Sequence, residues 1–179
     1  FEMTDQQEPN IILLDADVII HFLKGSKILL LPKILSGILV ILDVVKNELC
    51  YSPQHRTPIN NFINFCKIEV RSFPSDPNII KEYACLRKSF GDGESACMAY
   101  AKYQKCCIAS SNLTEIKLYC TNNNIQYLTT MDILVEAFQK GIMTESECDQ
   151  FIAVVKKQKS KLPYNYIAEY IKLTSKLKT

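Results

Sequence analysis

Short, uninterrupted apolar runs alternate along the chain with longer stretches whose apolar residues have helical spacing. Residues 11–14 and 38–42 are continuously apolar, which is typical of strands buried on both faces. Shorter runs at 106–109 and 125–128 predict two further strands, and the alternating segment 67–71 predicts another. Strands that alternate with helices predict an α/β fold with a mostly parallel sheet.

Helical patterns fill the segments between these strands. Helices are predicted over residues 18–23, 27–35, 44–49, 58–65, 78–86, 91–101, 113–120, 131–139 and 144–157. Pro163 separates the remainder, residues 164–178, which is either a docked helix or a mobile tail. We therefore predict a disordered or expression-derived N-terminus (1–9), one folded domain (10–158) and a basic C-terminal extension (159–179).

Positive charge is concentrated at the end of a chain of otherwise ordinary globular composition, 47% hydrophobic and 22% charged. Residues 150–179 contain seven lysines and one glutamate, a net charge of +6, whereas the rest of the chain carries −4. This asymmetry fits a polyanionic partner such as nucleic acid, although a solvated lysine-rich helix fits it equally well. The candidate nucleic-acid-binding residues are Lys156, Lys157, Lys159 and Lys161.

The cysteines argue against a disulfide framework and against a zinc site. There are eight of them, but no CxxC or Cys/His metal pattern occurs. Most lie in apolar segments, where a free cysteine behaves as a small hydrophobic residue. Together with the lack of a signal peptide at the start, this predicts a reducing, cytoplasmic location. The apolar stretch 28–42 is too short and too interrupted to span a membrane.

Acidic residues follow the predicted strands or open the helices after them. Asp15 and Asp17 follow the first strand, Glu48 lies on the helix after the second, and Asp92 and Glu94 open a helix of small residues. The carboxyl ends of parallel strands meet at one sheet edge, where such folds bind ligands. Clustered carboxylates repel unless a cation neutralises them, and Mg²⁺ or Mn²⁺ prefers oxygen ligands. Such a site could support metal-assisted phosphodiester hydrolysis.

Structural explanations stand beside the functional ones for some of these residues. Asp17 could be the N-cap of the helix that starts at Val18, and Asp43 could cap the helix over 44–49. His21 lies four residues after Asp17 and could face the same pocket, but a lone histidine on a helix is more often structural.

Three acidic motifs together resemble those of the PIN-domain family, nucleases that include bacterial toxins and RNA-processing enzymes. They are residues 14–18, 44–49 and 91–96, and the segment 109–143 resembles the C-terminal half of the family's fold. The resemblance covers residues 10–158. It implies a three-layer α/β/α sandwich with a mostly parallel central sheet.

The resemblance also implies a function and a set of site residues. Asp15, Glu48 and Glu94 would be the catalytic, metal-binding acids, with Asp92 a competitor at the third position, and the cofactor would be Mg²⁺ or Mn²⁺. The activity implied is that of an endoribonuclease that hydrolyses RNA phosphodiester bonds, similar to toxins of toxin–antitoxin systems. An antitoxin-like protein partner and a homodimer are further expectations of the family.

The fourth motif departs from the family pattern. Where the family has a hydroxyl residue followed by one or two aspartates, this chain has Ser110, Ser111 and Asn112. These residues, with Asp17, would line the pocket, but they supply no charge, and Glu115 one helical turn later could compensate only partly. The alternative function is therefore a catalytically weakened or inactive PIN-like protein that binds nucleic acid or another protein.

Overall fold

A computed structural model describes residues 10–112 and 115–176; the N-terminal segment 1–9, predicted to be disordered or expression-derived, lies outside the described residues. The described chain forms a five-stranded sheet with helices between successive strands. The strands are β1 (Ile11–Leu14), β2 (Ile38–Leu42), β3 (Glu69–Arg71), β4 (Cys107–Ala109) and β5 (Tyr127–Leu128). All five predicted strands are present, and the last three are shorter than the apolar patterns suggested.

The sheet has the order β3-β2-β1-β4-β5, and every neighbouring pair is parallel. Strand β1 is central, with Leu13 paired to Val40 of β2 and to Ile108 of β4. Helices cover both faces, because parallel strands are joined by crossover connections. The predicted α/β/α sandwich is confirmed, with a sheet that is parallel throughout.

Ten α-helices and one 3-10 turn (Ile28–Leu30) lie in the described ranges 10–112 and 115–176. They are α1 (Ala16–Lys24), α2 (Leu31–Ile34), α3 (Asp43–Tyr51), α4 (Pro53–Cys66), α5 (Pro77–Leu86), α6 (Asp92–Gln104), α7 (Glu115–Asn122), α8 (Thr130–Gln139), α9 (Glu145–Lys157) and α10 (Ile167–Lys176). Of the helix predicted over 113–120, residues 113–114 lie outside the described part of the chain.

Two predicted helix caps are wrong. The N-cap of α1 is Asp15, whose Oδ1 accepts a hydrogen bond from the backbone N–H of Ala16, so Asp17 already lies in the first turn. The N-cap of α3 is Leu42, and Asp43 is the first helical residue. The Asp43 carboxylate accepts from the N–H of Val44 and of Phe73, and it therefore ties α3 to the segment after β3.

The centre of the core consists of the two long strands and α6. Leu13 and Leu14 of β1 and Val40 and Ile41 of β2 are fully buried. In α6, every residue from Ser95 to Ala101 is buried and most are small. Small side chains let α6 pack closely on α3, α5 and the sheet, which brings its acidic first turn to the carboxyl edge.

The C-terminal extension packs against α8 and α9 through several polar contacts. Lys156 Nζ donates to Asn165 Oδ1 at 2.5 Å, and the backbone N–H of Ile167 donates to Asp149 Oδ1 at 2.8 Å. The Tyr170 hydroxyl donates to Asp132 Oδ1 at 2.6 Å. Residues 159–176 are thus joined to the two preceding helices.

All eight cysteines are free thiols, and five of them are buried. In the described ranges, no helix has the length and apolar character needed to cross a membrane.

Gly25 allows α1 and α9 to approach each other. The rings of Phe22 and Phe151 lie 4.9 Å apart between these helices. A Cβ at Gly25 would lie 2.3 Å from two carbons of the Phe151 ring, whereas a Cβ at Gly91 would meet nothing within 4 Å.

We therefore expect Gly25→Ser to destabilise the protein by about 1–3 kcal/mol, because the buried Phe151 ring has to move. Gly91→Ser is the matched control: its Cβ is unhindered, and serine is favoured at the N-cap position that Gly91 holds in α6. Urea unfolding of both variants measures the difference. Equal stability of the two variants would contradict the proposed steric role of Gly25.

Candidate functional site

Asp15 directly follows the central strand β1, at the carboxyl edge of the sheet and beside the end of β4. Its backbone N–H continues the ladder by donating to the Ala109 carbonyl at 2.9 Å. Its carboxylate accepts from the Ala16 N–H at 2.8 Å and from the Ser110 hydroxyl at 3.0 Å. Only 5% of the residue is exposed, so these two donors replace most of its water.

Asp17, in the first turn of α1, shares these surroundings. Its Oδ2 accepts from the Ser111 N–H at 2.8 Å and from the Ser110 hydroxyl at 3.4 Å, and its Oδ1 accepts from the Val18 N–H at 2.6 Å. The Ser110 hydroxyl therefore lies within hydrogen-bonding distance of both carboxylates. The structure brings together two of the predicted acids and two residues of the altered fourth motif.

Burial makes the two aspartates weak acids. The pKa of Asp15 rises from 3.8 to about 8, chiefly because the carboxylate is desolvated and next because Asp17 is negatively charged. Desolvation also raises the pKa of Asp17 to about 6, although the hydrogen bonds from Ser111 and Val18 oppose the shift. Without a nearby cation, Asp15 holds a proton at neutral pH.

Glu48 of α3 approaches the aspartates through a gap left by Gly93 of α6. A Cβ on Gly93 would lie 2.6 Å from Glu48 Oε2 and 3.7 Å from Asp15 Oδ1. The two oxygens are therefore no further apart than the sum of those distances. Any larger residue at position 93 would displace the Glu48 carboxylate, because the added Cβ would clash with the end of that flexible side chain.

Glu94 completes the group, and its partner is the neutral residue at the fourth motif. The Asn112 side-chain amide donates to Glu94 Oε1 at 2.5 Å. The buried Cys97 thiol, one turn further along α6, interacts electrostatically with all four acids: burial raises its pKa, and the charges of Asp15, Asp17, Glu48 and Glu94 raise it further. The four carboxylates are thus all close enough to the Cys97 thiol for their charges to act on it.

Asp92 is directed elsewhere. It forms an ion pair with Arg87, with Nε and Oδ1 2.5 Å apart, and about half of its side chain is exposed. Of the two acids considered for the third position, Glu94 is the one beside Asn112. The side chain of Glu115, considered as a substitute for the missing acid, lies outside the described residues.

The donor chemistry fits a hard divalent cation, because the side chains present carboxylate, hydroxyl and amide oxygens. The coordination sphere is not preformed: within residues 10–112 and 115–176, no three His, Cys, Asp or Glu side chains are arranged to hold a metal ion. The carboxylates are instead directed to Ser110, Ser111 and Asn112. Rotation of side chains such as the exposed Glu48 would be needed to gather the oxygens around one ion.

No family model matches the chain, and no curated protein matches it. Among the solved structures to which the chain is similar is the crystal structure of VapBC2 from Rickettsia felis bound to a DNA fragment from their promoter. The two are 16% identical, the match covers 66% of this chain and 98% of that chain, and the TM-score is 0.49.

His21 does not face the acids directly. It is 6% exposed, and its Nδ1 lies 2.9 Å from the hydroxyl of Thr130. Burial lowers the pKa of His21 to about 4, and nearby Lys24 lowers it further, so the imidazole is neutral at physiological pH.

The predicted nucleic-acid-binding lysines lie on α9 and the segment after it. Lys156 is committed to Asn165 and the Tyr164 carbonyl, whereas Lys157, Lys159 and Lys161 are exposed.

Two residues of the site were missed in the sequence. Gly93 lies in the 91–96 motif but is not among the predicted site residues, and Thr130 carries no sequence signal because its partners are distant in sequence. A glycine between two acids at the start of a helix can indicate that another group approaches the backbone closely. The role of Thr130 is visible only in the structure.

The buried aspartates predict an unusual pH dependence of stability. Between pH 3.8 and about 8, the folded protein keeps a proton on Asp15 that the unfolded chain releases, so the free energy of unfolding falls as pH rises through this window. Asp15→Asn removes this loss. In EDTA, we expect the variant to exceed the wild type by about 1–3 kcal/mol near pH 8 and to differ little near pH 4.

Urea unfolding at both pH values measures the effect, with Glu145→Gln, an exposed acid of α9, as the control. A gain from Asp15→Asn that is independent of pH would contradict the shifted titration.

Proposed function

We propose that the protein is a metal-dependent ribonuclease of PIN type. One observation carries the proposal: Asp15, Asp17, Glu48 and Glu94 lie near the carboxyl edge of a parallel sheet, where the charges of all four act on the buried Cys97 thiol and the Glu48 and Asp15 carboxylates both lie near Gly93. Holding four carboxylates close together lowers the stability of the fold, because like charges repel. A bound cation would remove this repulsion, so the cluster is explained if it serves to bind one. The order of the acidic motifs in the sequence supports the same function.

Asp15, Glu48 and Glu94 would hold Mg²⁺ or Mn²⁺ through their carboxylate oxygens. A bound divalent ion supplies a more acidic water molecule and stabilises negative charge on a phosphate. The chain's own residues prepare the site: Ser110 donates to Asp15, the Ser111 N–H holds Asp17, and Asn112 holds Glu94. These contacts fix the directions in which the carboxylate oxygens point.

RNA is the proposed substrate, and the exposed Lys157, Lys159 and Lys161 are proposed to bind its backbone, with Lys156 anchoring the segment that carries them. The expectations of an antitoxin-like partner, a homodimer and a cytoplasmic location rest on the resemblance of the sequence motifs and belong to the same proposal.

The test is cleavage of a fluorescent single-stranded RNA in Mn²⁺ or Mg²⁺ and in EDTA. We expect Asp15→Asn, Glu48→Gln and Glu94→Gln each to lower the rate by about 100-fold or more, because each removes a charge that holds the ion. Glu145→Gln, at an exposed position at the start of α9, should cleave at the wild-type rate. Full activity of Asp15→Asn, or activity of the wild type in EDTA, would contradict the assignment.

A second candidate function is a PIN-like binding module without catalysis. The observation that favours it is a fourth motif without an acid, in which neutral residues follow the hydroxyl residue where the family has one or two aspartates, together with a coordination sphere that is not preformed in the described residues. Such a protein would bind RNA with strong salt dependence and leave it intact.

Asn112→Asp separates the two candidates. For a nuclease with a weak cation site, the added carboxylate beside Glu94 should raise Mn²⁺ affinity about 10-fold and raise the cleavage rate at limiting Mn²⁺. Isothermal titration and the RNA assay measure both quantities. RNA binding without cleavage by either protein, even at saturating Mn²⁺, would favour the binding module and reject the nuclease.

A further inference from the structure

A buried chain of hydrogen bonds runs from α1 through α8 to the fourth motif. The hydroxyl of Thr130, the first residue of α8, lies 2.9 Å from His21 Nδ1 and 2.5 Å from the Ser111 hydroxyl. Thr130 is fully buried. Water therefore does not compete for its hydroxyl, and the three side chains satisfy one another.

The hydrogens of this chain can be assigned consistently in either direction. With a neutral imidazole, Ser111 donates to Thr130 and Thr130 to His21 Nδ1, or the tautomer reverses both bonds. In both cases Thr130 uses its hydroxyl once as donor and once as acceptor. The backbone N–H of Thr130 also donates to the Ser111 hydroxyl at 3.0 Å, so Ser111 is held by two atoms of one residue.

Because Ser111 is held by Thr130, its backbone is also held in place beside Asp17 and Asp15. Its own N–H donates to Asp17 Oδ2 at 2.8 Å, and the preceding Ser110 hydroxyl contacts both Asp15 and Asp17. The backbone after β4 is therefore fixed on one side by Thr130 and presents donors to the carboxylates on the other side.

The start of α8 does not need the Thr130 hydroxyl for capping. Thr129 forms a complete capping box with Asp132: its hydroxyl accepts from the Asp132 N–H, and its own N–H donates to the Asp132 carboxylate. Both partners of the Thr130 hydroxyl lie outside its own helix. Its contacts thus serve the connection between α1, α8 and the fourth motif.

We infer that Thr130, supported by His21, is a positioning residue that holds Ser111 and thereby orients Asp17 in the acid cluster. The consequence for metal affinity rests on the proposed function, whereas the positioning itself can be measured without metal. Such outer contacts to ligand residues commonly change metal affinity by 10- to 100-fold.

The experiment compares Thr130→Val with Thr130→Ser and with Thr129→Val. Valine at 130 keeps the shape but removes the hydroxyl, serine restores it, and valine at 129 weakens the same helix start by removing the capping hydroxyl. Ser111→Ala, at a half-buried position, breaks the same contact from the other side and serves if Thr130→Val does not fold. The readouts are hydrogen exchange of the Ser111 amide by NMR in EDTA and Mn²⁺ affinity by calorimetry.

We expect Thr130→Val and Ser111→Ala to speed exchange of the amide at position 111 and to weaken Mn²⁺ binding, each by about 10-fold. Thr130→Ser should match the wild type in both readouts, and Thr129→Val should lose stability while keeping the Mn²⁺ affinity. Unchanged exchange in Thr130→Val, or equal effects of Thr129→Val, would overturn the inference. Absence of Mn²⁺ binding in the wild type would instead reject the proposed function, and the amide exchange would still decide the positioning.

Discussion

The rest of the site depends on the burial of one carboxylate, that of Asp15, because its neighbours must supply the hydrogen bonds that water would otherwise provide. Water is almost completely excluded from this group, and the protein replaces it with the Ala16 N–H and the Ser110 hydroxyl. The same residue caps α1 and continues the ladder between β1 and β4. A group that ends a strand, starts a helix and carries charge cannot be moved without disturbing the centre of the sheet.

Helix α6 and the residues after β4 bring the other acids close to Asp15. The small residues of α6 let that helix lie close to the sheet, and Gly93 leaves room for Glu48. Asn112 then fixes Glu94 by a hydrogen bond and not by a further charge. The result is an acidic cluster whose members are oriented largely by neutral donors, which lowers the electrostatic cost of keeping them together.

Much of the fold was predictable because its two long strands, β1 and β2, are largely buried on both faces. The apolar runs 11–14 and 38–42 coincide with β1 and β2. A short, continuously apolar run is typical of a strand that helices cover on both faces of a parallel sheet. The site was predictable only as a set of acids at strand ends. The cap of α1 was misassigned because Asp15 and Asp17 are both good capping residues, and only the backbone of Asp15 distinguishes them. The contact of Thr130 with Ser111 and His21 joins residues far apart in sequence, so no local pattern could reveal it.

The lengths of the two outer strands have a consequence for how this molecule can associate. The sheet ends in β3, with three residues, and in β5, with two. An incoming chain that tried to extend the sheet would find few unpaired backbone groups on either side, which also limits aggregation through strand addition. Assembly with a second copy or with another protein would therefore rely on side chains of the surface helices.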